Sequence, residues 1–168
     1  ENLYLNIFQR MEIAHRGLWT HQNRISGIVE VSKIVDAIEI DCRLNSNGVM
    51  VLCHDKDSVD EDNDTLKDLC IIPESLNLIL DIKGNYAHEV LEIIKGSKHI
   101  WQLSSFDYRC VDTLLQNGGY KIGLITEGMP PEFILEKVDF ISQSYEFIDD
   151  EIINKYKKYK LIVYIFGT

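Results

Sequence analysis

Apolar residues fall along this chain in short runs whose spacing switches between a period of two and a period near 3.6. Met11–His15 is a brief apolar run that ends in His15-Arg16-Gly17. Arg24 to Ile34 carries apolar residues at 25, 28, 29, 31 and 34, close to helical spacing. Ile38 and Ile40 alternate with Glu39 and Asp41, which predicts a strand with both isoleucines on one face and both carboxylates on the other. Like charges so placed repel, and a strand interior has no use for them unless a cation or a proton sits between. Asn47-Gly48 then signals a hairpin, because a type I′ turn needs positive φ at both central positions. A two-residue turn there pairs Ser46 with Val49 and sets Asp41 opposite His54, with Glu39 as the diagonal neighbour on the same face.

Beyond the hairpin the pattern alternates strand and helix. Asp57 to Asp64 is acidic and polar, and reads as a solvated loop. Its Asp60, Asp62 and Asp64 have the spacing of a calcium loop, but Thr65 stands where glycine is required and Ile71 where glutamate is, so an EF-hand is rejected. Leu76–Lys83 is a strand that places Asp81 and Lys83 on one face. Tyr86 to Lys95 is helical, with Gly96 suited to its C-cap. Ile100–Ser104 is a strand, Asp107 caps a helix running to Gln116, and Lys121–Ile125 is a strand. Pro130-Pro131 opens a short helix, Val138–Ser142 is a strand, Asp149 or Asp150 caps a helix to Tyr159, and Leu161–Phe166 is the last strand. Repeated strand-helix units predict parallel strands with right-handed crossovers. Polar residues then gather at the C-terminal strand ends: His15-Arg16, Glu39-Asp41, Asp81-Lys83, Ser105 and Thr126. In a parallel barrel that edge carries the chemistry. An open doubly wound sheet would want a glycine-rich turn where His15-Arg16-Gly17 stands, so a barrel is favoured.

Composition narrows the function. The 168 residues suit one domain spanning 1–168, and 45% hydrophobic with 26% charged residues is the balance of a soluble globular protein. A net charge of −10 argues against nucleic acid or an anionic membrane as partner, and no apolar run is long enough to span a bilayer. The first residues lack the basic and apolar regions of a signal peptide. Cys42, Cys53, Cys70 and Cys110 show no C-x-x-C spacing and lie in or beside apolar stretches, so buried thiols in a reducing, cytoplasmic setting are expected. Cys42 and Cys53 would face each other across the hairpin, away from the carboxylates. His21, His88 and His99 have no partner by spacing and read as surface or packing residues.

Taken together, His15-Arg16-Gly17, Glu39-x-Asp41, Asn47-Gly48 with His54-Asp55, Asp81-Ile82-Lys83 and Ser105-Phe106 resemble the glycerophosphodiester phosphodiesterase family over nearly the whole chain. The resemblance implies a TIM-type (β/α) barrel of the phospholipase C-like phosphodiesterase kind, and hydrolysis of a small-molecule glycerophosphodiester to glycerol 3-phosphate and an alcohol. It implies His15 and His54 as general acid and base. Glu39 and Asp41 become ligands of a divalent cation, Mg2+ or Ca2+, with Asp81 in the place of the family's third, glutamate ligand. Arg16 and Lys83 would contact the substrate phosphate. The chemistry is coherent: a hard cation and two cationic side chains offset charge on the phosphoryl oxygens, and two histidines move the protons.

The chain also departs from the family. Pro-Glu-Asn is replaced by His21-Gln22-Asn23, the lobe usually inserted after His-Asp shrinks to Lys56–Asn77, and the last family strand is missing. Seven barrel strands plus the hairpin arm are counted, so the barrel is expected to be reduced or incomplete at its C-terminus unless the arm or a partner chain of a homo-oligomer fills the gap. The short acidic segment, expected to be mobile, predicts weak head-group discrimination with a mild preference for cationic alcohols. Two other readings are a sphingomyelinase D-like phosphodiester lyase, and a non-catalytic barrel that holds a phosphorylated ligand.

Overall fold

The computed structural model describes residues 3–6, 11–59 and 62–167. Among these residues nine strands and six α-helices follow in chain order: β1 (Leu3–Asn6), β2 (Glu12–His15), α1 (Ile25–Val31), β3 (Ala37–Leu44), β4 (Met50–Leu52), α2 (Leu66–Cys70), β5 (Asn77–Lys83), α3 (Ala87–Ile94), β6 (Ile100–Ser105), α4 (Tyr108–Asn117), β7 (Lys121–Thr126), α5 (Glu132–Leu135), β8 (Phe140–Ser144), α6 (Asp150–Lys158) and β9 (Ile162–Phe166). Strands β2, β3, β5, β6, β7, β8 and β9 pair in parallel in that order. The expected gap is filled from the other end of the chain. β1 lies antiparallel between β9 and β2, with Leu5 opposite Ile165 on one side and Glu12 on the other. The sheet thus returns on itself as an eight-membered ring, and full closure removes the open edges on which sheets aggregate. Neither the hairpin arm nor a second chain is needed.

Outside the ring, the helices cover a continuous core that includes Ile38, Ile40, Leu78, Leu80, Leu103, Leu124, Ile141 and Val163. Inside it, Ile13, Ala37, Ile79, Phe140 and Tyr164 form a separate apolar cluster. The period of two decides the side: Ile38 and Ile40 face the helices, while Ala37, Glu39 and Asp41 face the axis.

Two helix caps follow the sequence closely. Asp107 Oδ1 accepts the Arg109 backbone N–H at 2.9 Å, and Asp149, rather than Asp150, accepts that of Ile152 at 2.8 Å. Gly96 is not a left-handed cap; α3 ends on Lys95 in right-handed geometry. Of the short segment at Lys56–Asn77, residues 60 and 61 lie outside the described residues, and the part from Thr65 to Leu69 is anchored. Thr65 Oγ1 accepts from Asp68 N at 3.0 Å and donates to Asp68 Oδ2 at 2.7 Å, which caps α2, and Leu66 and Leu69 are fully buried.

The hairpin register differs by one residue from the two-residue turn. Cys42 pairs with Leu52, Arg43 with Val51 and Leu44 with Met50. Asn45 organises the turn: its N–H donates to Val49 O at 2.9 Å, and its Oδ1 accepts from Asn47 N and Val49 N. Only Gly48 has positive φ (76°), so the loop is three residues with glycine in the left-handed position. The shift puts Cys53, not His54, beside Asp41, its N–H donating to Asp41 O at 3.1 Å. Cys42 therefore faces Leu52, and all four cysteines are free.

Candidate active site

Three inward columns of the ring carry the charged groups to one level. Parallel register aligns His15 with Glu39, and Asp41 with Asp81 and then Ser104. Glu39, Asp41 and Asp81 are buried, and each offers an oxygen within 4.8 Å of the others'. This is the C-terminal edge of the parallel strands.

The turn after β2 explains His15-Arg16-Gly17. Arg16 and Gly17 both adopt positive φ, 59° and 77°, and a Cβ on Gly17 would press Ile28 Cγ1 at 3.2 Å. The sharp bend aims the Arg16 N–H at Glu39 Oε2, 3.2 Å away, and brings Arg16 Nε to 3.3 Å from Asp41 Oδ2. Asn23, also at positive φ (55°), is held by its N–H to Arg16 O at 2.8 Å. Its amide clasps Asp41 in both directions, with Nδ2 donating to Oδ2 at 2.9 Å and Oδ1 accepting from the Asp41 N–H at 2.9 Å. Sequence reasoning gave Asn23 no role; the available signal was its place as the retained third residue of the substituted His21-Gln22-Asn23.

Lys83 donates to Asp81 Oδ2 and lies 3.0 Å from Asp41 Oδ1. Burial pushes the Asp41 carboxyl up, but Lys83, Asn23, Arg16 and His54 outweigh it and leave Asp41 below the usual carboxylate range. Glu39 is different: burial, then Asp41 and Asp81, drive its carboxyl well above that range. Burial pushes Asp81 up to about 7 in spite of Lys83. His15 Nε2 stands 3.7 Å from Glu39 Oε2, and burial, with Arg16 beside it, lowers the imidazole to about 4, so it is neutral at pH 7.

His54 follows β4 on the half-exposed side of the site. Its Nδ1 donates to Asp55 Oδ1 at 2.7 Å, which leaves Nε2 free to accept or give a proton, and the bond holds Asp55 below its ordinary range. Its carbonyl accepts from Arg43 Nη2 at 2.7 Å. His54 is near enough that its charge contributes to lowering both His15 and Asp41. The fold therefore gathers His15, Arg16, Glu39, Asp41, Asp81 and Lys83 in one cage, with His54 approaching from the arm. His99 lies elsewhere as a packing residue, accepting from Leu76 N at Nδ1 and bonding Leu69 O through Nε2.

The donor set fits a hard divalent cation. It consists of three buried carboxylates whose mutual repulsion Lys83 only partly offsets, and Asp81 Oδ1 is buried with no hydrogen-bond partner.

The chain is an eight-stranded barrel whose titratable groups collect at the C-terminal strand ends, the edge at which sites are built in barrels of this kind. Among solved structures the chain is similar to a Galdieria sulphuraria protein provisionally assigned as a glycerophosphodiester phosphodiesterase, with a TM-score of 0.76 at 16% identity over 93% of this chain and 83% of that one. It is similar as well to the glycerophosphodiester phosphodiesterase of Parabacteroides distasonis (TM-score 0.69, 16% identity, 92% and 91% covered) and to that of Thermotoga maritima (0.65, 19%, 92% and 92%). No family model and no curated relative matches the sequence. At these identities the likeness establishes the fold, which is that of the glycerophosphodiester phosphodiesterases. Among the described residues no helix is long and apolar enough to cross a membrane.

Proposed function

We propose that the chain belongs to the glycerophosphodiester phosphodiesterases and hydrolyses a glycerophosphodiester to glycerol 3-phosphate and an alcohol with a divalent cation, Mg2+ or Ca2+. The observation that carries this is the buried, incompletely compensated trio Glu39, Asp41 and Asp81 beside a neutral histidine. Glu39, Asp41 and Asp81 would hold the cation, which when bound supplies Lewis-acid stabilisation of the phosphoryl oxygens. Arg16 and Lys83 bring cationic groups to the same oxygens and fix the phosphate. Asn23 keeps Asp41 ionised and oriented. His15, neutral at pH 7, takes the proton of the attacking water, and His54, oriented through Asp55, delivers a proton to the leaving alkoxide as its P–O bond breaks. The four free thiols favour a cytoplasmic setting.

The test is turnover of glycerophosphodiesters with added Mg2+ or Ca2+, with products identified by phosphorus NMR. Glycerol 3-phosphate and free alcohol are expected, and EDTA abolishes their formation. A cyclic phosphate that persists would replace hydrolysis with the lyase reaction. Absence of turnover with either metal would leave a phospholigand-binding barrel.

A further inference from the structure

A groove of about 860 Å3 lies between the hairpin turn and the ends of β5 and β6, and adjoins the carboxylate cage at Lys83. Its walls are the end of β3 and the turn beyond it, the single turn at Lys56–Ser58, and the ends of β5 and β6. Lys83 belongs to both the cage and the groove, so a diester with its phosphorus at the cage has this space for one of its two ester groups. Phe106 supplies an apolar wall, its ring 5.7 Å from Lys83 Nζ.

The charges lining this groove are Arg43, Lys56, Lys83 and Asp107. Two of them have charged partners within the protein. Lys83 is held by Asp41 and Asp81, and the Asp107 carboxylate takes Arg109 Nη2 at 2.7 Å and Nε at 3.1 Å besides capping α4. Arg43 and Lys56 form no ion pair among the described residues. Arg43 is pinned by its bond to His54 O, and its buried Nε has no hydrogen-bond partner. In a chain of net charge −10, two uncompensated cations in one cleft are a local reversal of sign. Asp62 and Asp64, by contrast, lie against the start of α1: Asp64 Oδ2 accepts from Ile25 N at 2.7 Å, and Arg24 reaches Asp64 Oδ1 at 3.9 Å and bonds the carbonyl of Asp62.

We propose that this groove holds the leaving alcohol and that Arg43 and Lys56 select alcohols bearing an anionic group of their own, a phosphate or a carboxylate. The inference rests on the phosphodiesterase reading and reverses the preference for cationic head groups that the acidic segment suggests by composition.

The discriminating substrates are glycerophosphoglycerol, the same diester phosphorylated at its terminal hydroxyl, and glycerophosphocholine. The phosphorylated diester is expected to have a kcat/KM about tenfold above the neutral one at low salt, the size of one or two partly exposed charge contacts, and the ratio falls as salt rises. Lys56→Gln brings the ratio toward one, mainly through KM. A general structural fault would instead lower all three substrates together and leave the ratio standing. Arg43→Gln is the less selective variant because it also releases His54 O. A ratio of one, or glycerophosphocholine turned over fastest, overturns the proposal. Calorimetric binding of the same diesters to the His15→Ala protein reads the groove without turnover. Tighter binding of the phosphorylated diester supports the groove even if the reaction itself fails, and equal binding overturns it.

Discussion

The two ends of the barrel interior are built from the same inward columns and are chemically opposite. The lower end holds Ile13, Ala37, Ile79, Phe140 and Tyr164, with the Phe140 and Tyr164 rings 5.2 Å apart and the Tyr164 hydroxyl donating to Gln102 Oε1 at 2.9 Å. Gly123 leaves the space that the Phe140 ring fills; a Cβ there would lie 2.2 Å from it. Every polar group named there has a partner. One step up the same columns, Ile13 gives way to His15, Ala37 to Glu39 and Asp41, and Ile79 to Asp81. There Asp81 Oδ1 has no partner and two carboxyls are forced upward. The lower layer stabilises the ring, and the upper layer takes its place in it at a cost. That cost is what a bound cation would relieve.

If the division holds, substitutions above should remove activity with little effect on folding, and substitutions below the reverse. The largest effect is expected from His15→Ala and His54→Ala, each lowering turnover by roughly 10²–10⁴-fold with circular dichroism unchanged. Near-normal turnover in folded His54→Ala protein would take His54 out of the mechanism. Below, Phe140→Ala should cost about 3–5 kcal/mol through the cavity it leaves, lowering the melting temperature by roughly 10 °C or more. Its kcat per folded molecule, measured well below that midpoint, should stay within about twofold of the wild type, since a lost ring here removes packing and no transition-state contact. A kcat loss comparable to that of the histidine variants would show that the two layers are mechanically one.

What the sequence made legible is what depends on neighbours along the chain. Period two placed Glu39 and Asp41 on one face and their isoleucines on the other, Asp107 announced its helix, and the pair Asp149-Asp150 marked the start of another, with Asp149 the cap. What it hid depends on closure and on single-residue turn geometry. Leu3–Asn6 is four residues long, and its role between β9 and β2 exists only once the ring has formed. The Asn45 side chain converted a two-residue turn into three residues, and that one extra residue moved His54 out of register with Asp41. His54 still reaches the site because β4 ends at Leu52 and the chain bends there. The helix at Leu66–Cys70 is one turn too short to show a period, and only the Thr65…Asp68 spacing marks it.

The cation should bridge the two layers' behaviour. In protein stripped with EDTA, adding Mg2+ or Ca2+ at 100 times its dissociation constant is expected to stabilise the fold by about 2.7 kcal/mol, seen as a rise of several degrees in melting temperature. The rise should vanish in Glu39→Gln and Asp81→Asn but persist in Phe140→Ala. A metal-induced rise in all of them would place the cation elsewhere.

The smallest effect is the most diagnostic, because its sign changes with conditions. In the metal-free protein Asp81 titrates near 7, against an ordinary value of 3.8, because it is buried. Between those values the folded protein keeps a proton that the unfolded chain has lost. Stability therefore falls as pH rises from about 4 to about 7 and is level above. His15 acts the other way: lowered from 6.5 to about 4, it stays neutral while the unfolded chain protonates, so its contribution falls as pH drops through that window. The wild-type curve mixes the two, and Asp81→Asn separates them. Asparagine keeps the shape without the charge, and Lys83 retains Asp41 at 3.0 Å. In EDTA the variant's melting temperature, relative to wild type, should climb between pH 4 and pH 7 and stay high to pH 8. In saturating metal the order at pH 8 should invert, because only the wild type keeps all three carboxylate ligands. A difference that is flat with pH in EDTA would show that Lys83 already compensates Asp81 fully, and the upper layer would then carry no unmet charge for a cation to answer.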